Sequence, residues 1–529
     1  MNEVKTIETP KEILNGILQN PNSADRLVKY FSPERYIKRV KARYAVASVS
    51  SFVGSSKTRK ATKNWNTSPG DADADILDTL DDLVQRSRDL VRNNPIAAGA
   101  TLTKNISVIG TGLRLQSKIS KLFAGIPVEE RQAIERDIEF KFKMWGESFN
   151  CDVSKQLNFS GFQQLGYRQK QENGGFLALF TFVKTKNYPF TLALQLIEAD
   201  RLSNPNNQRD GAEVSADNKN KVFGGVEKDS TGAVIAYHIR KTHPGAINTD
   251  GKSEWARITA FNEGTGLPNI LHVYQILRPG QSRGLPDLTP VIEPLKELGT
   301  YTEAELRAAV VSGLFTVFIK TEDGDSGDSG ITVSNNPADT GEIALGSGAV
   351  VDLASNESIE TANPGRPNTA FDPFTTAILR EIGVGLGLPF EILIKHFTAS
   401  YSASKAAILE AWRFFRSERK WFIDSFCQPV FEAWLYEAVL RGIIKAPGFL
   451  SDPYIRKAYS STYWIGDGPG HLNPLQEANA AKVRNDMGLT TLEREIAEYS
   501  GEDLDTNLDQ LEVENNRLVS LGIKQRRTK

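Results

Sequence analysis

The hydrophobic pattern of this 529-residue chain changes at about residue 289, and this change limits the folds open to it. Before that point, short apolar runs typical of buried strands alternate with amphipathic helical patterns. After it, long helical patterns dominate. The chain therefore combines a mixed body with a separate long-helix region, which predicts an α+β protein with a structural or assembly role. The clearest strands are at 176–183 and 190–199, and the long helices at 288–315, 371–387 and 402–441.

Composition excludes several classes of protein. Hydrophobic residues make up 40% of the chain, which is typical of a globular protein and excludes disorder along the whole chain. The 63 basic and 65 acidic residues nearly cancel, so we do not expect the whole surface to wrap nucleic acid. Two cysteines, Cys151 and Cys427, exclude a disulfide framework and favour a reducing compartment. We expect neither a signal peptide nor a membrane-spanning segment.

The N-terminal part of the chain is polar up to about residue 70. We predict a loosely held arm over 1–75. Its basic run SKTRKATK (56–63) is either a solvated segment or a site for DNA or a scaffold protein. The first strong helix begins after Asp75 and ends at the break before Pro95. A second helix over about 96–106 then leads into NISVIGTGLRLQSKI, which we interpret as a strand pair with a glycine turn.

One motif suggests catalysis. GQSRG (280–284) matches the G-x-S-x-G nucleophile elbow, with Ser282 as the nucleophile. That chemistry needs a helix directly after the turn, but Pro279 and Pro286 flank the motif and the next helix starts late. A structural turn is the preferred interpretation, and a serine hydrolase using Ser282 remains an alternative. Labelling by a fluorophosphonate that Ser282→Ala abolishes would favour the hydrolase.

The other motif matches are incomplete. HPGAINTDGKS (243–253) has one residue too many for a phosphate-binding P-loop. Ser402 and Lys405 match S-x-x-K, but the companion motifs are absent, and a serine N-cap explains them better. TEDGDSGDSG (321–330) lacks the final glutamate of an EF-hand, so we interpret it as a solvated loop. We therefore expect no catalytic residue, no metal site and no cofactor.

The order of several weak segments carries a resemblance. Together, and in this order from about residue 75 to 525, they resemble the lambda-like family of phage portal proteins. The segments are RNNPIAAGATLTKNISVIGTGLRLQ, LQLIEADRLSNP, GVEKDSTGAVIAYHI, ILRPGQSRGLPDLTPVIEPLKEL, ELRAAVVSGLFTVFI, RPNTAFDPFTTAILREIGVGLGLPFEIL, YSASKAAILEAWRFF and MGLTTLEREIAEYSGED.

The resemblance implies a portal-type subunit that assembles into a ring. The implied parts are a mixed α/β wing, a helical stem, a small β-containing clip and a helical crown. In this sequence they correspond to an arm at 1–75, the wing at 76–286, a stem helix at 287–313, the clip at 314–370, a second stem helix at 371–388, a tunnel loop at 389–401, a wing helix with its following segment at 402–472 and crown-like helices at 473–529.

The resemblance also implies a function. Such a ring, expected to have twelve subunits, occupies one vertex of the capsid in the virion. Double-stranded DNA passes through its channel without sequence specificity, driven in by a separate terminase. The implied partners are the terminase large subunit, capsid and scaffold proteins and head-completion or tail adaptors, with no membrane, and assembly takes place in the host cytoplasm. The absence of a complete P-loop match fits a passive conduit.

Two sets of residues are candidates for contacts in such a ring. In the tunnel loop, Lys395 and His396 are candidates for phosphate contacts and Phe397 and Tyr401 for packing against the duplex, with Ser400 beside them. The alternative is an ordinary surface turn with Phe397 in a core. In the clip, the acidic Asp323, Asp325 and Asp328 are candidates to face the terminase. A monomeric DNA-binding adaptor is a further alternative, which a steep dependence of duplex binding on salt would favour.

Overall fold

The computed structural model describes most of the chain and separates it into two units at Asp71 and Ala72. The described residues are 28–47, 55, 60–62, 64, 65, 67, 69–120, 125–247, 254–313, 317–321, 357–361, 370–397, 400–470, 473–501 and 504–522.

The first unit contains a helix that the sequence reasoning missed. Helix α1 spans Pro33–Ala47, where a loosely held arm was predicted. Pro33 is compatible with a first helical position, and Glu34 in the first turn complements the helix dipole. Tyr36 is buried. The periodicity was missed because basic residues interrupt the short apolar stripe.

The second unit is α+β, as predicted. Its helices are α2 (Ala72–Asn93), α3 (Pro95–Val108), α4 (Val128–Glu147), α5 (Phe159–Asn173), α6 (Ile292–Gly313), α7 (Phe371–Leu386), α8 (Phe390–Ile394), α9 (Tyr401–Phe422), α10 (Gln428–Leu440), α11 (Pro453–Tyr459), α12 (Pro474–Asp486), α13 (Leu492–Tyr499) and α14 (Leu504–Ser520). Its strands are β1 (Arg114–Ser117), β2 (Gly175–Phe182), β3 (Leu192–Glu198), β4 (Ala212–Glu213), β5 (Lys221–Phe223), β6 (Val226–Lys228), β7 (Val234–Arg240), β8 (Trp255–Thr259), β9 (Ile270–Tyr274), β10 (Val317–Thr321), β11 (Glu357–Thr361) and β12 (Thr462–Ile465).

In the described part of the chain, the strands form four antiparallel groups. β2 lies between β3 and β9, and β4 to β8 follow one another as a five-stranded sheet. β10 pairs with β11 as a two-stranded ribbon. β1 pairs with β12, which brings residues 114–117 beside residues 462–465. This last pairing joins an early segment of the second unit to a segment about 350 residues later in the chain.

The segment NISVIGTGLRLQSKI does not form the strand pair that we predicted. Its first part continues α3 to Val108. That helix begins at Pro95, where Asn94 accepts hydrogen bonds from the backbone N–H of Ile96 and Ala97. Only β1 is a strand, and its partner is β12, which is remote in sequence. The alternating pattern indicated a strand, but it did not indicate which strand would pair with it.

One apolar core holds α3, α4, α5, β2, β3 and the α9–α10 pair together. Aromatic rings fill it: Phe142 of α4 lies 5.1 Å from Trp434 of α10 and 5.6 Å from Phe159 of α5, measured between ring centroids. The predicted helix over 402–441 is present, but a π-helical turn at Ile423–Cys427 interrupts it just before Pro429. Proline cannot donate a backbone hydrogen bond, so such an interruption is expected there. Cys151 and Cys427 are free and buried.

Candidate functional site

The predicted tunnel loop connects α7 to α9. Gly387 ends α7 in the left-handed conformation, with φ of 68°, and the N–H of Leu388 donates to the carbonyl of Gly383. Pro389 then starts the short helix α8, which ends at Lys395 with φ of 55°. The predicted break at LPFEI is thus a single helical turn between two chain reversals.

The side chains of this segment divide into buried and exposed groups. Leu393 is buried in the main core, whereas Lys395 and His396 are exposed. Phe397 is 50% exposed, so the alternative that placed it in a core of this chain is wrong. Tyr401 is also half exposed, with the Lys405 ammonium 5.9 Å from its ring centroid. The loop therefore presents cationic and aromatic groups to its surroundings.

Ser400 has a structural task. Its hydroxyl accepts a hydrogen bond from the backbone N–H of Ala403 at 3.4 Å and so caps α9. This geometry matches the N-cap interpretation of the serines near S-x-x-K. Asp323, Asp325 and Asp328, the candidates for contact with the terminase, lie outside the described residues.

Close packing fixes the backbone ahead of the loop. A Cβ added to Gly383 would lie 2.6 Å from the carbonyl oxygen of Leu388. Backbone cannot yield cheaply to such a contact, so Gly383 is required by the close approach of α7 to the turn that follows it. Gly383 and Gly387 of the GVGLG sequence (383–387) thus serve the termination of α7.

A buried cluster of charges joins α3, α5 and α9 to the turn before α6. Lys170 of α5 lies 2.9 Å from Asp287 and 2.8 Å from Glu418 of α9. Lys104 of α3 lies 3.1 Å from the other carboxylate oxygen of Asp287. Two ammonium groups thus face two carboxylates, so the cluster is neutral. We call these four residues the junction cluster.

Neutral groups complete the junction cluster. The hydroxyl of Tyr167 donates to Glu418 at 3.2 Å, and the amide of Gln275 donates to its other oxygen at 2.9 Å. Glu418 therefore has partners on both oxygens, as a buried carboxylate requires. The cluster fixes the approach to α6 against the body.

The electrostatics of the cluster favour the charged forms. Burial opposes the ionisation of Asp287, yet the charges of Lys104 and Lys170 hold its pKa below the ordinary value. Burial likewise opposes the charge of Lys170, but Asp287 and Glu418 raise its pKa. Burial, with the nearby carboxylates, raises the pKa of Tyr167 well above its usual value. Removing one partner would leave charges buried without compensation.

GQSRG forms a buried turn. Ser282 is fully buried, and its hydroxyl donates to Asp73 at 2.6 Å. Arg283, also buried, donates to the carbonyl oxygens of Leu202 at 2.6 Å and Ala199 at 2.7 Å. No helix follows the motif directly, because α6 begins at Ile292. A nucleophile needs an open approach for its substrate, and the buried position of Ser282 does not provide one.

The near match to a P-loop lies between two antiparallel strands. β7 precedes it and β8 is the next described element after it, with Arg240 opposite Trp255. Phosphate-binding loops place their amide groups at a helix N-terminus, so this context does not support nucleotide binding. Among the described residues, no group of three or more His, Cys, Asp or Glu is arranged to hold a metal ion. No helix among them is long and apolar enough to span a membrane.

Sequence reasoning did not find the junction cluster. Its members are separated by up to 314 positions, from Lys104 to Glu418, and no short motif contains two of them. The available signal was a lysine within an otherwise packed helix, at Lys170, and that signal does not reveal the partners. The turn at Ser282, by contrast, was correctly preferred.

Known proteins are similar in sequence to this chain over most of its length. Portal protein B of Escherichia phage lambda is 28% identical over 458 residues, which cover 82% of this chain and 84% of that protein. The portal protein of Escherichia phage N15 is 27% identical with the same coverage. Among solved structures, the neck of a native GTA particle computed with C12 symmetry has a TM-score of 0.41 and 11% identity, covering 78% of this chain and 92% of that one.

The sequence model of one family spans the body from before α2 to α9. It describes phage portal proteins of the lambda family and matches residues 58–419. This match covers more than half of the chain and includes the GQSRG turn, α6, α7, the loop at 389–401 and most of α9. The chain belongs to the lambda family of phage portal proteins.

Proposed function

We propose that this chain is a portal subunit that forms a ring, expected to be a dodecamer, at one vertex of a phage capsid. Double-stranded DNA passes through the ring during packaging by a separate terminase and during ejection. Membership of the portal family is the observation that carries this proposal. Head-completion or tail adaptors join the ring on its outer side, and scaffold and capsid proteins contact it during assembly in the host cytoplasm.

The helix pair α6–α7 supports self-association. Tyr301 of α6 stacks on Phe371 of α7, with ring centroids 5.7 Å apart. Away from this contact, Leu306 and Val310 of α6 are 66% and 61% exposed, and Val384 of α7 is 84% exposed. Apolar side chains that recur on exposed helix faces are typical of protein–protein contacts. Neighbouring copies of the same helices would cover them.

The loop at 389–401 supports a contact with passing DNA. Lys395 and His396 are exposed beside Phe397 and Tyr401, at the reversal between α7 and α9. A single cation and a histidine per subunit give weak, sequence-independent attraction to phosphates. Weak contacts suit a duplex that must slide, because tight ion pairs would slow it.

A conduit needs no chemistry of its own, and we propose that this chain is not an enzyme. The named relatives are portal proteins, which have a structural role. The buried position of Ser282 and its hydrogen bond to Asp73 argue against the hydrolase alternative. We also propose that the acidic segment 321–330 faces the terminase. Its deletion should leave rings intact but weaken terminase docking, and loss of rings would contradict that placement.

The mass of the purified protein tests the main proposal. We expect rings of twelve 58.4 kDa chains, about 700 kDa, with a central channel in negative-stain images. Leu306→Asp should abolish them, because the new charge would be buried between copies. Thr300→Asp is the matched control, since it adds the same charge to an exposed position of α6 without removing an apolar group. A monomer that binds DNA with a steep salt dependence, even with scaffold added, would favour the adaptor alternative instead.

A further inference from the structure

A cleft of about 430 Å³ lies where α13 meets the body, and residues of α9, β12 and α13 line it. We call it the α13 cleft. The rings of Trp412 and Trp464 form part of its lining and are partly buried. Arg416 of α9 and Arg494 of α13 also line it and are exposed. Tryptophan and arginine are enriched where one protein binds another, so the α13 cleft has the composition of a protein-binding site.

The lining of the α13 cleft carries an excess of positive charge. Its charged residues are Lys118, Arg416, Arg419 and Arg494 together with Glu493 and Glu498. Lys118 pairs with Glu493 at 2.6 Å, and Arg419 donates to backbone carbonyl oxygens, so these groups are engaged within the chain. The exposed Arg416 and Arg494 therefore dominate the charge that a partner meets. A fitting occupant combines an apolar side chain with carboxylates.

Helix α14 presents this combination on one face. Val513 is 62% exposed, and Asp509 and Glu512 are exposed on the same side of the helix. Over its whole length α14 contains four acidic residues and one basic residue, Arg517. No residue of α14 is buried. The face that contains Val513 is therefore available for contact with another chain.

Other segments near the C-terminus fit the α13 cleft less well. Helix α12 has two acidic and two basic residues and is neutral. Residues 523–529 contain four basic and no acidic residues, which the arginines of the cleft would repel. The chain's own α14 is held elsewhere at its start, because Asp505 pairs with Arg136 of α4 at 3.3 Å. Among the described residues, the lining of the cleft includes none from α14. Charge complementarity thus favours α14 of a second copy.

We propose that the α13 cleft of one subunit receives α14 of the neighbouring subunit, with Val513 against the two tryptophans. Asp509 and Glu512 then face the two arginines of the cleft. The inference rests on the proposed function, because two different surfaces of one chain close into a ring when they join successive copies. An amphipathic helix in a groove is a recurrent mode of recognition. The contact covers apolar surface that a single chain exposes.

Cross-linking between co-expressed full-length chains tests the proposal. The two natural cysteines are buried, so a short bis-maleimide should react selectively with an introduced, exposed cysteine. One chain carries Glu498→Cys at the α13 cleft, and the other carries Asn516→Cys beside Val513 on α14. We expect a covalent dimer that contains one chain of each kind. The control pair, with the exposed Gln85→Cys of α2 in place of Asn516→Cys, should give no such dimer.

Charge reversal tests the role of the arginines. Asp509→Arg with Glu512→Arg in the chain that supplies α14 should lower the yield of the dimer about tenfold, because like charges across an interface repel. Arg416→Glu with Arg494→Glu in the chain that supplies the cleft should then restore the yield. This rescue would also show that the reversed chains are folded.

The matched control for charge reversal is Asp82→Arg with Glu147→Arg. These carboxylates belong to exposed pairs on α2 and α4, and their reversal changes the net charge equally, so the yield should stay the same. An equal loss in this control, or failure of the exchanged charges to restore the dimer, would overturn the inference. So would a cross-link within a single chain that carries both cysteines, because the cleft would then receive its own α14.

Particle mass, recorded on the same samples, separates this inference from the proposed function. Closed rings that give no cross-link between the α13 cleft and α14 would contradict the inference alone. Chains that cross-link at this contact but never close into rings would contradict the proposed function alone.

Discussion

The α9–α10 pair and the C-terminal helices α12 to α14 bury very different surfaces. Buried aromatic and aliphatic side chains line α9 and α10, including Phe415, Phe422, Phe431 and Trp434. Helices α12, α13 and α14 have no buried residue. Their exposed apolar residues include Leu475, Leu508 and Val513. The body is thus stabilised by side chains that it buries within itself, whereas the C-terminal helices leave their apolar side chains exposed.

Polar contacts attach the C-terminal helices to the body. Lys118 pairs with Glu493 of α13 at 2.6 Å, and Arg136 pairs with Asp505 of α14 at 3.3 Å. A cleft of about 430 Å³ remains beside α13, lined in part by Trp412 and Trp464. Exposed ion pairs contribute about 0–1 kcal/mol each, far less than a buried aromatic side chain. The two regions should therefore respond differently to the same kind of substitution.

The largest expected difference comes from removing core volume. Phe426→Ala should destabilise the body by about 3–5 kcal/mol, because the ring packs within 5.4 Å of Phe176 and of Phe422. Leu508→Ala in α14 should change stability by less than about 0.5 kcal/mol, since that side chain is 47% exposed. Denaturant unfolding followed by tryptophan fluorescence measures both. Equal losses would show that α14 is packed as tightly as the body.

Within the body, removal of a buried charge should destabilise the fold more than removal of an exposed charge. Lys170→Met should destabilise it by about 3–5 kcal/mol, because Asp287 and Glu418 would remain buried with too little positive charge. Lys420→Met removes the same charge from an exposed pair with Asp424 and should cost about 0–1 kcal/mol. The measurement is the denaturation midpoint of each variant. Similar midpoints for both would mean that the junction cluster contributes nothing beyond a surface pair.

Acid should destabilise the five-stranded sheet formed by β4 to β8. Burial opposes ionisation of Glu227, but hydrogen bonds from Arg257 and two asparagines lower its pKa from 4.5 to about 2. Since the pKa is lower in the folded state, its stabilisation is complete above pH 4.5 and is lost as pH falls towards 2. Hydrogen exchange in β5–β8 should therefore accelerate over that range. Glu227→Gln should exchange faster at pH 7 and show a flatter pH dependence, and a parallel profile would refute this origin.

The smallest expected effect concerns attachment of α13. Glu493→Gln removes the charged partner of Lys118 and should increase exchange in α13 by a factor of about five or less, because a partly exposed pair contributes at most about 1 kcal/mol. Exchange in α9 should not change. High salt should reproduce the effect in the wild type. Acceleration that spreads to α9 would show that the C-terminal helices and the body unfold together.

Local signals allowed much of the fold to be predicted. Helix α7 and the strands β2 and β3 lie close to their expected positions, because their apolar patterns are regular. Helix α1 was missed, since its stripe is short and its other positions are basic. The strand pair at 105–119 was wrong, because strand propensity says nothing about which remote strand completes the ladder.

The portal family was predicted from the order of segments and is confirmed by the family match. The subdivision into wing, stem, clip and crown stays a prediction, as do the contacts of Lys395 and Asp323 with their partners. For Ser282, the local sequence favoured a structural turn. The structure explains this preference, because Ser282 is buried and its hydroxyl donates a hydrogen bond to Asp73.

The sequence by itself determined the α+β class, the long helices and the family, because these depend on periodicity and segment order along the chain. Only the tertiary structure decided that Lys170 meets Asp287 and Glu418, and that β1 pairs with β12. Such contacts join positions hundreds of residues apart, and no local pattern encodes which distant charges will neutralise one another. The chain specifies them collectively, because burial makes every unpaired charge costly and leaves few arrangements that satisfy all of them.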